Sequence, residues 1–542
     1  MKRKLGGGGG GGWGGTKMGF GRRLPEFITG SSSNKFTVTA AAAFIVLSLV
    51  LIATVCSPIS YLPLKFALSG TKPPEQTCES REQRSSYLKH RSPELPPYLL
   101  SKLQEYERRH RRCGPLSESF NTTSPLGTHN DSAGGDCKFV VYTPSQGLGN
   151  RILGLTSTFL FALLTDRVLL VDFSADMGEL FCEPFPNSTW LLPGNFPFRS
   201  DFYGGWFRDT YSYGKLLEKK EKTASDSSSS SSPSPSSSSP WNSTLLQIFL
   251  DDKYSEYDKL FFKDENQGFL EKIPWLVLIS DGYFIPCLFQ MQYFRSELDK
   301  LFPNKSTVFH QLGNYLLAPS NQAWSLITKF YDAHLAKAEQ RIGIQIRVFD
   351  PEATPTPLVM KQILSCTETR RILPRSRQSN ETSKAVLVAS LSSEFYQGIK
   401  NRYGGRSGGG EIGVYQASHE ETQQSYKSSH NMKAWADIYL LSMSDVLVTS
   451  GMSTFGYVAA GIGGVRPWIV TFPDPKDHPD VPGWAAVCER AVNLEPCFHF
   501  PPWFAYPDEQ GTASGGAGLV NRCEDVPWGL KLVDGRNRTE LQ

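Results

Sequence analysis

Strands alternate with helices along most of this 542-residue chain, and this alternation restricts the fold more than any other feature of the sequence. Strands are predicted at Phe139–Tyr142, Val168–Phe173, Arg341–Val348, Ala385–Ser390 and Asp445–Thr449. Helices are predicted at Arg151–Leu164, at Glu394–Ile399, at Asp437–Ser444 and from Phe455 onward. Alternating strands and helices indicate parallel sheets with helices on both faces. Two such sets, on either side of the middle of the chain, predict an α/β fold of two Rossmann-like lobes with a cleft between them.

An uncharged apolar run from Phe36 to Cys56 is about long enough to cross a bilayer as one helix, which takes roughly 20 residues. Basic residues dominate the segment before it, where Glu26 is the single acid, so the positive-inside rule keeps the N-terminus in the cytosol. A cleaved signal peptide is the alternative, but this apolar core exceeds its usual length of about 7–15 residues. We therefore predict a single signal anchor with the rest of the chain in a lumen.

Cysteines and glycosylation sequons agree with that location. Ten cysteines are present, nine of them after the apolar run, and no Cys-x-x-Cys pair suggests a zinc ribbon or a thioredoxin-type motif. Scattered cysteines suggest disulfides in an oxidising compartment, with at least one thiol free or paired with another chain because nine is odd. Sequons for N-glycosylation begin at Asn121, Asn130, Asn187, Asn242, Asn304, Asn380 and Asn537.

Composition divides the chain further. The net charge is only +3 and its basic excess lies near the N-terminus, which argues against a nucleic-acid-binding protein. A charged helix at Lys102–Arg112 is predicted to have a solvated face within a stem, and Gly404–Gly410 is predicted to be a surface loop. The predicted divisions are a disordered cytoplasmic tail (1–35), the anchor (36–56), the stem (57–135), an N-terminal lobe (136–330) with a flexible serine-rich insertion (226–240), and a C-terminal lobe (331–542).

Arg347 is the first candidate for a ligand-binding side chain, because it ends a predicted strand. Ligands of open parallel sheets bind beyond the carboxyl ends of the strands. A guanidinium there could clamp a pyrophosphate through a forked pair of hydrogen bonds. The alternative is an arginine in a structural ion pair at a strand end.

Two loops before helices are further candidates. Residues 450–456 follow a strand and open a helix, whose free N–H groups favour a phosphate, although a simple Ser/Thr N-cap is the alternative. The loop at 147–151 lacks the third glycine of the dinucleotide fingerprint, so it indicates either a cleft wall or a tight turn. The predicted nucleotide-sugar-binding residues are Arg347, Ser450, Gly451, Ser453, Thr454, Phe455, Gly147, Gly149, Asn150 and Arg151.

Several motifs of other enzyme classes are missing from the sequence. The chain has no Asp-x-Asp pair, which many sugar transferases use to hold a divalent metal, and no clustered His or Cys ligands. It also lacks a Gly-x-Ser-x-Gly elbow and a Walker loop with lysine. We therefore predict no metal site.

Taken together in their order, several stretches resemble the plant xyloglucan-type fucosyltransferases, glycosyltransferase family 37. These stretches are GLGNRIL from Gly147, SDGYF from Ser280, GIQIRVF from Gly343, VLVASL from Val386, HNMKAWADIYLLSMSD from His430, SGMSTFGYVAAG from Ser450, EPCFHFPP from Glu495 and CEDVPWGLKLV from Cys523. The resemblance implies a variant two-lobed glycosyltransferase fold of the GT-B type behind a single transmembrane helix in the Golgi membrane. It also implies an inverting reaction that uses GDP-fucose as donor and needs no metal or other cofactor.

The resemblance implies roles for particular residues. Arg347 would contact the GDP diphosphate, the segment from Ser450 would help to enclose the nucleotide, and Asp281 would lie near the acceptor sugar. Asp281 is also the candidate general base, although it could be a capping aspartate and water could relay the proton instead. The acceptor would be a galactosyl or arabinosyl residue of a cell-wall polysaccharide or arabinogalactan, and the further partners would be the Golgi membrane and a homodimer or other Golgi glycosyltransferases. A non-catalytic lumenal scaffold is the alternative function.

Overall fold

The computed structural model describes residues 77–88, 94–122, 137–172, 176–226, 244–251, 254–352, 354–374, 383–407, 410–471, 487–506 and 518–535. All of them belong to one compact unit that begins at Thr77. The predicted tail and anchor, and residues 227–240 of the predicted insertion, lie outside the described residues. Within the described ranges, no helix combines the length and the apolar character needed to cross a membrane.

The first sheet lies in the N-terminal half and consists of four parallel strands in the order β2-β1-β4-β3. Its strands are β1 (Lys138–Pro144), β2 (Arg167–Val171), β3 (Leu245–Leu250) and β4 (Trp275–Ser280). Nearly every residue of these strands is buried, as expected for a parallel sheet with both faces covered. The predicted strands β1 and β2 are confirmed, whereas β3 and β4 were not predicted.

Thirteen helices of the described residues precede the second sheet. They are α1 (Glu79–Tyr87), α2 (Pro97–Cys113), α3 (Glu118–Thr122), α4 (Leu148–Leu164), α5 (Met177–Leu180), α6 (Gly205–Tyr211), α7 (Tyr213–Asp226), α8 (Glu256–Lys259), α9 (Asp264–Leu270), α10 (Ile285–Gln290), α11 (Gln292–Leu301), α12 (Val308–Leu316) and α13 (Asn321–His334). Helix α4 is apolar on nearly all sides and is buried along most of its length. It begins at Leu148, one turn earlier than predicted.

The second sheet has seven strands in the order β11-β10-β9-β5-β6-β8-β7, of which the central five are parallel. Its strands are β5 (Gln340–Ile346), β6 (Lys384–Ser390), β7 (Gly405–Ser407), β8 (Gly410–Tyr415), β9 (Val446–Ser450), β10 (Trp468–Thr471) and β11 (Val487–Arg490). Its helices are α14 (Thr356–Thr369), α15 (Ser393–Tyr403), α16 (Ser428–Ser442) and α17 (Thr454–Gly463). The predicted strands β5, β6 and β9 are confirmed.

The prediction of a surface loop at Gly404–Gly410 was wrong. Strands β7 and β8 pair antiparallel there and form the edge of the second sheet. Backbone pairing with a neighbouring strand overrides the low strand propensity of glycine, because that propensity depends on context.

A small antiparallel sheet completes the fold. It contains β12 (Cys497–Phe498), β13 (Val520–Arg522) and β14 (Leu530–Leu532), in the order β12-β14-β13. One apolar cluster joins all three parts of the unit, with members such as Leu153 of α4, Trp435 of α16 and Leu530 of β14. The two lobes are therefore packed on a common core.

The described part of the predicted stem belongs to the globe, which corrects its assignment as a spacer with a solvated helix. Helix α2 buries Leu99, Leu103 and Tyr106 in the main apolar cluster. The buried ring of His110 contacts Ser188 and the carbonyl of Leu169 through its two nitrogens. The charged pattern of this helix concealed an apolar stripe at helical spacing, which is the face that packs.

Disulfides are present, as the cysteine pattern predicted. The described pairs are Cys78–Cys182, Cys113–Cys137, Cys366–Cys488 and Cys497–Cys523. Cys287 is free and buried, which agrees with the odd number of cysteines after the apolar run. Two of the bridges attach the predicted stem to the N-terminal lobe.

The predicted glycosylation sites fall partly within the described residues. Asn187 and Asn304 are exposed, and Asn121 lies in α3. Asn130, Asn242, Asn380 and Asn537 lie outside the described residues. Glycosylation of these asparagines stays a prediction.

Candidate active site

The carboxyl ends of strands from both parallel sheets border one cavity of about 350 Å³. The segment after β1 contributes Gln146 and Gly147, and the segment after β5 contributes Arg347. The segment after β9 contributes Ser453 and Thr454. This position beyond the strand ends is the one that open parallel sheets use for ligands, and the volume is typical of small-molecule sites.

Arg347 lines this cavity with a half-buried side chain. Its backbone N–H donates to Ser450 Oγ at 3.0 Å, so the strand ends of β5 and β9 hold its position. Its guanidinium carbon lies 5.3 Å from the ring centre of Phe349. Burial lowers the pKa of Arg347, and no carboxylate among the described residues opposes that effect. The alternative of a structural ion pair is therefore not observed, and the charge is available to an anionic ligand.

The segment after β9 approaches the ligand space through its backbone. Met452 adopts the left-handed conformation with φ of 59°, and its N–H donates to Asp525 Oδ2 at 2.7 Å. A Cβ on Gly451 would lie 2.9 Å from Thr471, which explains glycine at this close approach. Ser453 lines the cavity and precedes α17, but its side chain makes no capping hydrogen bond. The first turn of α17 therefore keeps its N–H groups for another partner.

The N-termini of α4 and α17 meet at the cavity. Thr454 donates through Oγ1 to Asn150 Oδ1 at 2.8 Å, which links the two lobes. A Cβ on Gly149 would lie only 2.6 Å from Thr454 Oγ1 and 2.9 Å from the backbone nitrogen of Phe455. Gly147 precedes α4 without a side-chain cap. The N-termini of both helices therefore open on the cavity without a side-chain cap, an arrangement that suits an anion.

Of the predicted nucleotide-binding residues, Ser450 and Gly451 do not line the cavity, and neither does Arg151, which lies behind its wall. Its guanidinium is fully buried and donates through Nε to the carbonyl of Gln146 and through Nη2 to that of Ser425. Nη1 lies 3.5 Å from Asp176 Oδ1. The structure thus corrects the predicted placement: Arg151 braces two segments of the wall and does not line the cavity.

A carboxylate that the sequence did not single out also lines the cavity. Asp437 of α16 lines the cavity and is buried, and burial raises its pKa to about 7. Ser418 donates a hydrogen bond to its Oδ2, whereas Oδ1 is buried without a partner among the described residues. Its position in the helical pattern of α16 is that of a core residue. Only its burial and its oxygen without a partner identify Asp437 as a candidate site residue.

His430 and Glu420 lie beside Asp437 on the same wall. His430 Nδ1 lies 3.1 Å from Glu420 Oε2, and Lys433 also bonds to Glu420. Hydrogen bonds from Lys433 and His430 lower the pKa of Glu420. The wall that contains Asp437, His430 and Glu420 is therefore rich in acceptors, whereas Arg347 and the helix N-termini are donors.

His499 is a second residue that the sequence did not single out. It follows β12 and lines the cavity. Its Nε2 lies 3.2 Å from Tyr457 Oη, and Tyr457 donates to Asp525 Oδ2 at 2.6 Å. Its position in a loop far from Tyr457 in the chain explains why no local pattern revealed it.

Asp281, the predicted acceptor-side aspartate, follows β4 and is buried. It does not line the cavity described above. Asp172 follows β2 and Asp251 follows β3 in the same way, so three parallel strands of the first sheet each end in an aspartate at one edge. Asp172 is held by Arg199, whose Nε lies 2.9 Å from Oδ1. Burial raises the pKa of Tyr142, and Asp281 adds to that shift, so the two groups lie close together.

A metal centre finds no support in the described ranges. No group of three or more His, Cys, Asp or Glu side chains in these ranges is arranged to hold a metal ion. The absence of a metal requirement stays a prediction.

The fold and the cavity define a two-lobed α/β glycosyltransferase. The profile described as xyloglucan fucosyltransferase matches residues 66–506. The chain belongs to this family, and it is a fucosyltransferase.

Similar proteins support the assignment. A galactoside 2-alpha-L-fucosyltransferase of Pisum sativum is 46% identical over 472 residues, which cover 85% of this chain and 80% of that protein. One of Arabidopsis thaliana with the same name is 44% identical over 475 residues, covering 85% and 81%. The solved structure of a mutant of Arabidopsis thaliana FUT1 in complex with GDP has a TM-score of 0.71 and 42% identity, and covers 86% of this chain and 98% of that chain.

Proposed function

We propose that this protein transfers fucose from GDP-fucose to a galactosyl or arabinosyl residue of a plant cell-wall polysaccharide or arabinogalactan, with inversion, in an α-1,2 linkage and without a metal ion. The observation that carries the proposal is the Arg347 guanidinium, half-buried at the cavity with no carboxylate partner among the described residues. Two helix N-termini without side-chain caps lie at the same cavity. The relatives named galactoside 2-alpha-L-fucosyltransferase and the GDP-bound neighbour agree with this donor and this linkage.

The diphosphate would lie between Arg347 and the N-terminus of α17. Breaking the bond between fucose and GDP leaves negative charge on the diphosphate, and a fixed guanidinium and helix N–H groups stabilise such charge without reorganising. Arg347 suits this task better than a lysine would, because its planar fork donates two hydrogen bonds at once.

The guanine base would lie against the acceptor-rich wall. Guanine presents the donors N1–H and N2–H on one edge, and a carboxylate is a pure acceptor when ionised. Asp437 lines this wall, and its Oδ1 is buried without a hydrogen-bond partner among the described residues. Pairing with guanine would compensate the desolvation that raises the pKa of Asp437. An adenine or uracil nucleotide would not offer the same pair of donors.

The acceptor would approach from the carboxyl edge of the first sheet. Tyr203 and Trp206 are exposed there, and Tyr203 donates to the carbonyl of Pro144 at the end of β1. Aromatic faces stack on sugar rings and aspartates accept hydrogen bonds from sugar hydroxyls, so this edge suits a glycan. We place the protein in the Golgi membrane as a single-pass type II protein, on the strength of the apolar run and the disulfides.

Thermal unfolding of a secreted form that begins before Cys78 tests the donor assignment. A ligand that binds only the folded state at about 100 times its Kd stabilises it by about 2.7 kcal/mol. We expect GDP to raise Tm with and without EDTA, whereas UDP at the same concentration raises it much less. Consumption of GDP-fucose with a galactose-terminated xyloglucan or an arabinogalactan then identifies the acceptor. A folded protein that GDP does not stabilise would favour the scaffold function instead.

A further inference from the structure

Fucosyl transfer requires a group that takes the proton from the acceptor hydroxyl, and the residues assigned so far to the donor do not supply one. Asp281 lies outside the cavity lining. His499 lines the cavity with an imidazole, whose ordinary pKa makes it the commonest proton acceptor in enzymes. We propose that His499 Nδ1 is the proton acceptor of the transfer reaction; this inference rests on the proposed fucosyltransferase function.

The position of His499 is fixed by its neighbours in the chain. Cys497 pairs with Lys531 in the small antiparallel sheet and is bridged to Cys523. The ring of the next residue, Phe498, would lie 2.9 Å from a Cβ on Gly282. Phe498, the residue before His499, therefore packs against the segment that carries Asp281, at the carboxyl edge of the first sheet.

A chain of hydrogen bonds selects the tautomer of His499. Asp525 Oδ2 accepts from Tyr457 Oη at 2.6 Å and also from the Met452 N–H at 2.7 Å. Because the Tyr457 hydroxyl proton points to Asp525, its oxygen is an acceptor toward His499 Nε2 at 3.2 Å. Nε2 therefore carries the proton, and Nδ1 keeps its lone pair.

His499 Nδ1 is open to the ligand. It has no hydrogen-bond partner among the described residues, and it is not one of their enclosed nitrogen atoms. Asp525 also holds Met452, which lies in the backbone turn beside the proposed diphosphate position. One carboxylate thus orients both the proton acceptor and the donor-binding turn.

The acceptor oxygen forms a bond to C1 of fucose, and the bond between C1 and the β-phosphate oxygen breaks with its electron pair going to GDP. The hydroxyl proton moves to His499 Nδ1, which gives an imidazolium that the Tyr457–Asp525 chain stabilises. The proton then leaves to solvent. Arg347 and the α17 N-terminus receive the charge on the leaving diphosphate, so the two charges that develop are met by different groups.

Burial lowers the pKa of His499, while Asp525 opposes this shift, so the neutral imidazole needed for the step is favoured near neutral pH. Asp525 and Tyr457 face the imidazole from the two elements packed against it, and Glu524 adds to the raised pKa of Tyr457. Burial raises the pKa of Tyr457 well above its ordinary value, so the phenol stays protonated and continues to donate to Asp525.

The test compares His499→Gln, Tyr457→Phe and Asp281→Asn with the wild-type protein, using GDP-fucose and the acceptor that the wild type uses. A general base contributes about 10²–10⁴-fold. We expect His499→Gln to lower kcat by this factor and to leave the acceptor KM nearly unchanged. In this variant kcat should no longer decrease at acid pH. Tyr457→Phe should keep the fall of kcat at acid pH and lower kcat by about 10-fold, because the imidazole of His499 is still present but its tautomer is no longer fixed. Imidazole in solution should partly restore His499→Ala.

Stabilisation by GDP, unchanged from wild type, shows that each variant is folded and keeps its donor site. The inference would be overturned if His499→Gln kept the wild-type kcat and the fall of kcat at acid pH. It would also be overturned if only Asp281→Asn lost kcat and this fall. If His499→Gln does not fold, imidazole rescue of His499→Ala and the pH profile of Tyr457→Phe decide the matter. If the wild-type protein neither binds GDP nor consumes GDP-fucose, the proposed function fails instead, and the two failures are distinct.

Discussion

Replacing Arg347 with alanine should remove most of the catalytic activity while leaving the stability of the folded protein unchanged. The side chain lines the cavity and no carboxylate partner is present among the described residues. Burial of this guanidinium lowers its pKa, which means that the folded state gains nothing from its charge when no ligand is bound. We therefore expect the free energy of unfolding to change by no more than about 0.5 kcal/mol.

The expected loss of activity follows from the donors that Arg347 offers. Losing one fixed donor to a developing oxyanion costs about 2.7–4 kcal/mol, and Arg347 offers a fork of two. With about 1.4 kcal/mol for each factor of ten, the loss of one donor corresponds to about 10²–10³, so the loss of both in Arg347→Ala should lower kcat/KM by about 10³ or more. Arg347→Lys keeps the charge but loses the fork, so we expect a smaller loss of roughly 10–10². The assay is initial-rate release of GDP from GDP-fucose at saturating acceptor, with GDP affinity from calorimetry.

Arg341 provides a matched control on the same strand. It lies at the opposite end of β5, where its guanidinium pairs with Asp445 at 2.9 Å and contacts Tyr331. Removing one partner of a buried pair costs about 3–5 kcal/mol, so Arg341→Ala should unfold far more easily than Arg347→Ala. Wild-type kcat/KM in Arg347→Lys, or unchanged GDP affinity in Arg347→Ala, would refute the role assigned to the fork.

Two further predictions concern the guanine-binding wall and the first segment of the globe. Because the pKa of Asp437 is about 7 in the folded protein and near 4 in an unfolded chain, protonation favours the folded state. The free energy of unfolding without ligand should therefore fall as pH rises from about 4 to 7, and Asp437→Asn should reduce that fall. The pH dependence that remains in this variant should come from Glu495, whose pKa is also about 7. The affinity for GDP should rise over the same pH range, and it should be about 10–100-fold weaker in Asp437→Asn. An affinity that is equal at all pH values would contradict the pairing of Asp437 with guanine. Replacing Cys113 and Cys137 with alanine opens a loop of sequence separation 24, which should cost about 3.5 kcal/mol in chemical denaturation, and a cost near zero would mean that α2 is not anchored to the lobe.

The fold was predictable to a large extent because its strongest signals are local. Strands β5 and β9 and the buried helix α4 are long apolar runs with clear ends, and their alternation implies parallel sheets. Strands β3 and β4 are equally buried, but their short apolar runs are separated by elements too brief to reveal a regular alternation. The sequence predicts α2 as part of a solvated stem because its charged residues outnumber the apolar stripe that packs.

The candidate site was predictable only in its donor half. Arg347 lies at the end of one predicted strand, and Ser453 and Thr454 follow another; strand ends of parallel sheets are where ligands bind, so the sequence indicated these residues directly. Asp437 lies inside a helix, and the sequence does not show that the tertiary packing leaves one of its carboxylate oxygens without a partner among the described residues. His499 depends on Tyr457 and Asp525, which lie on other elements of the chain.

The order and spacing of residues were enough to predict the classes of secondary structure, the parallel arrangement of the central strands, the strand-end position of Arg347 and the presence of disulfides. These properties follow from the order and spacing of residues close together in the chain. The buried Oδ1 of Asp437 without a partner among the described residues, the bracing of the wall by Arg151, the meeting of the α4 and α17 N-termini and the tautomer of His499 are visible only in the folded chain. Each of these depends on contacts between residues far apart in sequence, because burial and hydrogen-bond partnership are set by how the two lobes pack.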